Sequence, residues 1–161
     1  GAYQAGMRRK LGLEQSRDGD EELAEALLRA MADGRADFTL TFRRLSELGN
    51  EASEADAEVG ELFEERGAFD DWVARWRARF ADEGRPFEER RADMRSVNPA
   101  FIPRNHRVEE VIQAATRDGD FGPFETLVDV LASPYDDQSE RAEYAAPPRP
   151  EEVVRETFCG T

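Results

Sequence analysis

The sequence holds one cysteine (Cys159), one lysine (Lys10) and one histidine (His106) in 161 residues. A lone thiol excludes an internal disulfide and suits a reducing, cytoplasmic setting. A lone imidazole leaves no His/Cys cluster of the kind that binds transition metals. Positive charge is scarce as well, and arginine supplies nearly all of it: the net charge is −14. That balance lacks the basic footprint that nucleic acid requires and opposes docking on anionic membranes. The same acidic field repels ATP, which counts against a nucleotide site within these residues. No apolar run approaches the length of a membrane span, and no signal-peptide pattern is present. Because the chain opens at Gly1 on residues that already read as helical, it is expected to be a piece of a longer polypeptide.

What is present is helical. The richest apolar stretch is AFDDWVARWRARF, Ala68–Phe80. There Phe69, Trp72, Val73, Trp76 and Phe80 recur at the spacing of one helical face, with Asp70, Asp71, Arg75, Arg77 and Arg79 placed on the others. Around it the periodicity predicts a helix ending near Leu11 with Gly12 as its stop, on a Tyr3–Met7–Leu11 stripe. A second is predicted from an Asp20 N-cap to Ala32, facing inward with Leu23, Leu27, Ala30 and Met31. A third runs over Phe38–Leu48 from an Asp37 cap, with Phe38, Phe42 and Leu45 inward. Residues 50–58 read as either a solvated helical turn or a mobile connection, and Val59, Leu62 and Phe63 as a short amphipathic turn. Pro86 opens a segment through Met94, and Asn98-Pro99 and Ile102-Pro103 hold 96–104 extended. Two more helices follow, Arg104–Arg117 with Val108, Val111, Ile112 and Ala115 inward, and one from Pro123 carrying Phe124, Leu127, Val128 and Leu131. No stretch alternates like a strand and no period repeats. The fold class is therefore all-α, an array of about six to eight short helices without a sheet. Its length fits one domain, a helical domain over residues 1–132 and a Pro-rich extended tail over 133–161 ending in Cys159.

Several motifs invite a chemical reading. Asp120-Phe121-Gly122 spells the metal-binding triplet of protein kinases, with His106-Arg107 upstream. The Gly-rich loop, strand lysine, catalytic Asp and Asn that such a site needs are missing, so the triplet reads as a turn between two helices. His106 has Glu109 and Glu110 one turn on, but a metal site needs further ligands, and it reads as a partly exposed histidine. Asp70-Asp71 and Asp136-Asp137 are adjacent pairs that point apart, unsuited to paired carboxylate catalysis. Arg104-Asn105, beside Pro103, could fix the turn or hold a carboxylate. Cys159, third from the end, reads as an incidental terminal thiol. No catalytic, cofactor-binding or metal-ligating residue is assigned within 1–161.

The runs MRRKLGL (Met7–Leu13), DFTLTFRRLS (Asp37–Ser46), AFDDWVARWRARF (Ala68–Phe80) and MRSVNPAFIPRN (Met94–Asn105), followed by a terminal CGT, resemble in order the C-terminal region of the selenoprotein O (YdiU, UPF0061) family. The resemblance implies a parent with a kinase-like, pseudokinase fold that moves AMP from ATP onto Ser, Thr or Tyr hydroxyls of proteins, using Mg²⁺ or Mn²⁺. It places the catalytic lysine, glutamate, aspartate and metal ligands N-terminal to this stretch, so the piece itself should be inactive and hold no cofactor. The implied partners are that kinase-like portion and protein substrates, with neither nucleic acid nor membrane. Cys159 matches the family's terminal selenocysteine or cysteine, associated with redox control, although Gly160-Thr161 replaces the more usual pair of serines. The alternative is a stand-alone helical protein-interaction module. A piece of a larger fold is expected to expose an apolar patch where its neighbour belongs.

Overall fold

A computed structural model describes residues 1–155. Among the described residues every regular element is helical and there is no strand, as the periodicity requires. None of these helices is long and apolar enough to cross a membrane. The chain divides into two compact units, Gly1–Asn98 and a second that begins at Pro99.

The first unit carries α1 (Ala2–Lys10), α2 (Asp20–Asp33), α3 (Phe38–Leu45), α4 (Glu54–Gly60), α5 (Gly67–Ala81) and α6 (Phe87–Val97). Its centre is α5, whose Phe69, Trp72, Val73, Trp76 and Phe80 are all buried. Burying each contributes on the order of 1.5–3 kcal/mol. The rings form a continuous stack: Phe63–Phe69 at 5.0 Å between centroids, Trp72–Trp76 at 5.6 Å, and Trp76–Phe80 edge-on at 4.9 Å. A buried indole must place its N–H. Trp72 Nε1 donates to the Leu23 carbonyl of α2 at 2.8 Å, and Trp76 Nε1 donates to the Leu11 carbonyl at 2.9 Å. The two tryptophans thus fix α5 to α2 and to the end of α1. Gly12 follows with φ +68°, and a Cβ there would lie 2.7 Å from Met94 Sδ and 2.8 Å from Arg90 Cγ. Its left-handed backbone stops α1, and its missing side chain lets α6 approach.

The charges of this unit depart from the expected solvated faces. Arg77 and Arg79 point inward, each side chain 12% exposed. Arg77 forms a two-pronged pair with Asp56 (2.6 and 2.8 Å) and donates from Nε to the Gly49 carbonyl. The acidic stretch around residue 56 is therefore helical, as one of the two readings expects, but α4 is docked through buried Asp56 rather than solvated. Arg79 grips Asp20 (2.5 and 3.1 Å), Glu83 and the Gln15 carbonyl, pinning the α1–α2 connection to the end of α5. Asp20 is the first residue of α2, not its cap; Gly19 (φ 90°) holds that place, and Asp20 Oδ2 accepts the Arg17 amide instead. Asp37 does cap α3, its Oδ1 accepting the Leu40 amide at 2.9 Å, but α3 stops at Leu45 rather than Leu48. Tyr3 and Phe38, expected inward, are exposed.

The second unit has α7 (Asn105–Gln113), a π-helical turn at Ala114–Asp118, α8 (Gly122–Ala132), α9 (Ala142–Ala145) and single 3₁₀ turns at Ser139–Arg141 and Pro150–Glu152. Residues 99–104 are non-helical, held in part by the Pro134 carbonyl, which accepts the Ala100 and Phe101 amides. Ala100, Phe101 and Val130 form its buried cluster, with Leu131, Tyr144 and Ala145 against it. Among the described residues beyond Ser133 the backbone is largely irregular apart from α9 and the two 3₁₀ turns. The inward side of α8 is Leu127 and Val130, so Phe124 and Val128, expected inward, face outward together with Ile112 of α7.

Candidate functional site

Acid–base or metal chemistry needs carboxylates or imidazoles that converge with spare valence. The buried acids Asp20 and Asp56 are committed to arginines, as is the buried carboxylate of Glu83. Asp56 is held below the usual carboxylate range by its Arg77 hydrogen bonds, which outweigh burial. At Asp20 burial pushes upward, but Arg79 and the Arg17 amide more than offset it, and the carboxyl again ends below its ordinary value. Both are fixed anions with filled lone pairs, poor as proton donors. Asp70 pairs with Arg66 at 2.9 Å on the surface beside exposed Asp71, and Asp136 and Asp137 are exposed in the second unit. Neither adjacent pair converges on a common point. No group of three or more His, Cys, Asp or Glu side chains that could hold a metal occurs among the described residues.

Asp120-Phe121-Gly122 is a local turn. Gly119 takes a left-handed backbone (φ 64°) after the π-helical turn, and Asp120 Oδ1 accepts the Gly122 amide at 2.9 Å as α8 begins. Phe121 is exposed. His106 departs from expectation: it is buried, not partly exposed, and its Nδ1 has no hydrogen-bond partner. Burial, then the Arg107 charge, holds its pKa below the ordinary value and keeps it neutral. Glu110 instead accepts from Arg107 (2.9 Å), and Glu109 from Gln113 (3.0 Å).

His106 lines a shallow cleft of about 290 Å³ at the start of α7, shared with Arg104, Asn105, Pro148, Glu152 and Val153. Arg104 is buried at the N-cap of α7, and Asn105 is exposed. Glu152 is drawn down to about 2 by its hydrogen bonds from Arg149. The cleft joins a neutral imidazole to a carboxylate that is always ionised. Among the described residues its lining contains no hydroxyl or thiol nucleophile. It can receive a polar group, but it has no side chain to attack one. Cys159, the residue singled out for redox chemistry, lies outside the described residues.

Sequence reasoning missed the buried cations. Arg90 of α6 lies 3.9 Å from the centre of the Phe80 ring and 5.3 Å from that of Trp76. Its Nη2 donates to the Leu48 carbonyl and Asn50 Oδ1, while Nε and Nη1 have no partner. Burial, reinforced by Arg77 and Arg85, lowers its pKa to about 10. The available signal was its place four residues before Met94, on the buried face of an otherwise polar helix. Lys10 is similar: Nζ donates to the Val97 carbonyl and to Asn98 Oδ1, beside the Phe38 and Phe42 rings, and the Asn98 amide donates back to the Lys10 carbonyl. These cations hold the fold and face no reaction centre.

Comparison with known proteins supplies what the geometry does not. The family model described as Protein adenylyltransferase SelO matches residues 1–132. A relative named Protein nucleotidyltransferase YdiU, from Bradyrhizobium sp. (strain ORS 278), is 60% identical over 161 residues, covering 99% of this chain and 32% of its own length. Its namesake from Rhizobium meliloti (strain 1021) is 56% identical over 156 residues, 97% of this chain and 32% of the relative. A third, from Rhodopseudomonas palustris (strain BisB18), is 57% identical over 160 residues with 32% of its length covered. The chain spans about a third of the length of the curated relatives it matches.

Proposed function

The chain belongs to the protein adenylyltransferase SelO family, and from that premise we propose that it is the C-terminal helical domain of a protein adenylyltransferase. In the proposed reaction a Ser, Thr or Tyr hydroxyl of a protein substrate attacks the α-phosphorus of ATP. The hydroxyl oxygen gains AMP, its proton is released, and pyrophosphate leaves. The observation that carries this reading is the family match over residues 1–132 on a chain spanning about a third of its relatives' length.

Neither the buried acids Asp20 and Asp56 nor the cleft at His106 fits ATP or its Mg²⁺ or Mn²⁺. Asp20 and Asp56 are each locked to an arginine, and the cleft at His106 has one carboxylate, Glu152, already held by Arg149. No step of the transfer is therefore routed through them. In this reading the nucleotide and metal are held by a kinase-like portion outside these residues, and the helices buttress it and shape access for protein substrates. The single cysteine favours a cytoplasmic location. Cys159 would act in redox control by exchange with a thiol elsewhere in the parent, because this chain has no second one.

The test is transfer of label from α-³²P-ATP with Mg²⁺ or Mn²⁺ to acceptor proteins, run on the full-length protein and on the 161-residue chain. Label should enter protein only with the full-length enzyme, and a γ-³²P label should not. Incorporation by the chain alone overturns the placement of the chemistry. Inability of the full-length protein to transfer AMP overturns the enzymatic reading.

A further inference from the structure

A helix in a small unit normally shows one apolar face and one polar face, and a helix apolar on all sides is covered on all sides. In the second unit, α8 carries apolar residues on both its buried and its exposed sides, alongside exposed Glu125 and Asp129. Leu127 and Val130 occupy its inward side, yet Phe121, Phe124 and Val128 recur at i, i+3 and i+7 along the outward side. Ile112 belongs to α7, which packs against α8. All four are between 48% and 60% exposed. Single exposed apolar residues need no explanation, but a stripe of two phenylalanines and a valine along one side does.

The surroundings of the stripe narrow what covers it. Asp118, Asp120, Glu125 and Asp129 are exposed on the turn before α8 and on α8 itself, against two cations, Arg117 on that turn and Arg141, which pairs with Asp129 at 3.3 Å. A second copy would bring this acidic rim against itself, on a chain of net charge −14. The relatives, by contrast, have about two thirds of their length outside the part this chain matches.

We propose that the outward stripe of α8, Phe121, Phe124 and Val128, is the surface on which the remaining two thirds of the full-length protein pack, through an apolar patch edged by Arg or Lys. The inference rests on the family reading above and adds to it the face that makes the joint. The apolar side chains exclude water there, and the acidic rim selects the basic edge and sets the register.

Amide hydrogen exchange over residues 122–132, followed in the full-length protein and in the 161-residue chain, tests this without a variant. Covering the stripe should slow exchange in α8 by at least ~10-fold in the full-length protein. Full-length Phe124→Glu should erase that difference, while Glu25→Gln, exposed on α2 of the first unit, should keep it. Equal exchange in the two wild-type samples overturns the proposal. So does protection in the chain that rises with its concentration, because that outcome names a second copy as the occupant. AMP transfer measured on the same full-length sample separates the two readings. Protection without transfer removes the enzymatic reading and leaves the joint, whereas transfer without protection removes the joint alone.

Discussion

The two units solve the problem of stability differently. In Gly1–Asn98 the described core is a continuous cluster of large side chains centred on α5, laced by two indole hydrogen bonds and two buried arginine–carboxylate pairs. In the unit that begins at Pro99 the comparable cluster is Ala100, Phe101 and Val130, and several of its aromatics face outward. Small units bury proportionally less of their surface and are correspondingly marginal. The first unit carries its own stabilising contacts, whereas the second has left part of its apolar area for something else to cover.

The contrast can be broken at its strongest point first. Trp76→Ala should cost the first unit about 3–5 kcal/mol, measured by urea unfolding followed through Trp72 fluorescence, because it opens a cavity in the ring stack and orphans the Leu11 carbonyl. A loss under about 1 kcal/mol would mean that the stack is not the organising core. Next comes Asp56→Ala, which strands the buried Arg77 guanidinium and should cost about 3 kcal/mol. Paired with Arg77→Met, the double variant should recover much of that loss; strict additivity would show that the two side chains do not interact.

Acid sharpens the comparison. Asp20 and Asp56 titrate below their ordinary value when folded, so their contribution is complete above the unfolded carboxylate pKa of about 3.9 and is lost as pH falls through the folded values. His106 has the same sign for a different reason. It is held neutral in the second unit, so the unfolded chain takes up a proton first, and that unit should lose stability as pH falls below about 6.5. Amide exchange resolved by segment should therefore report α7 opening at mildly acidic pH while α5 stays protected to a lower pH; simultaneous opening would count against the assignment. The smallest effect belongs to the outward stripe. In the 161-residue chain Phe124→Ser should change stability by no more than about 0.5 kcal/mol, and a larger loss would place Phe124 in the core after all.

How much of this was legible in the sequence follows from the physics of each element. The aromatic helix could be read because five large side chains on one face leave no other orientation that buries them. Gly12, Gly119 and Asp37 were legible because stops and caps are local. Arg77 and Arg79 were misplaced because a charge on a helix reveals its sign but not its partner, and those partners lie 21 and 59 residues away. α8 was misoriented because periodicity identifies an inward face by contrast with a polar one, and this helix has apolar residues on both. The resemblance placed no catalytic residue in this chain, and among the described residues no three His, Cys, Asp or Glu side chains come together to hold a metal. The cleft at His106 depends on chain separated by more than forty residues, Asn105 from Glu152, which no local pattern reveals.

The corner where Lys10 meets Asn98 has a practical consequence. Apart from the terminal amine, the entire chain presents one primary amine to an acylating reagent, and that amine is tied to Val97 and Asn98 with its pKa lowered by burial. Its labelling rate therefore clocks the opening of the seam between the first and sixth helices, giving the molecule a built-in footprinting probe that requires no engineered tag.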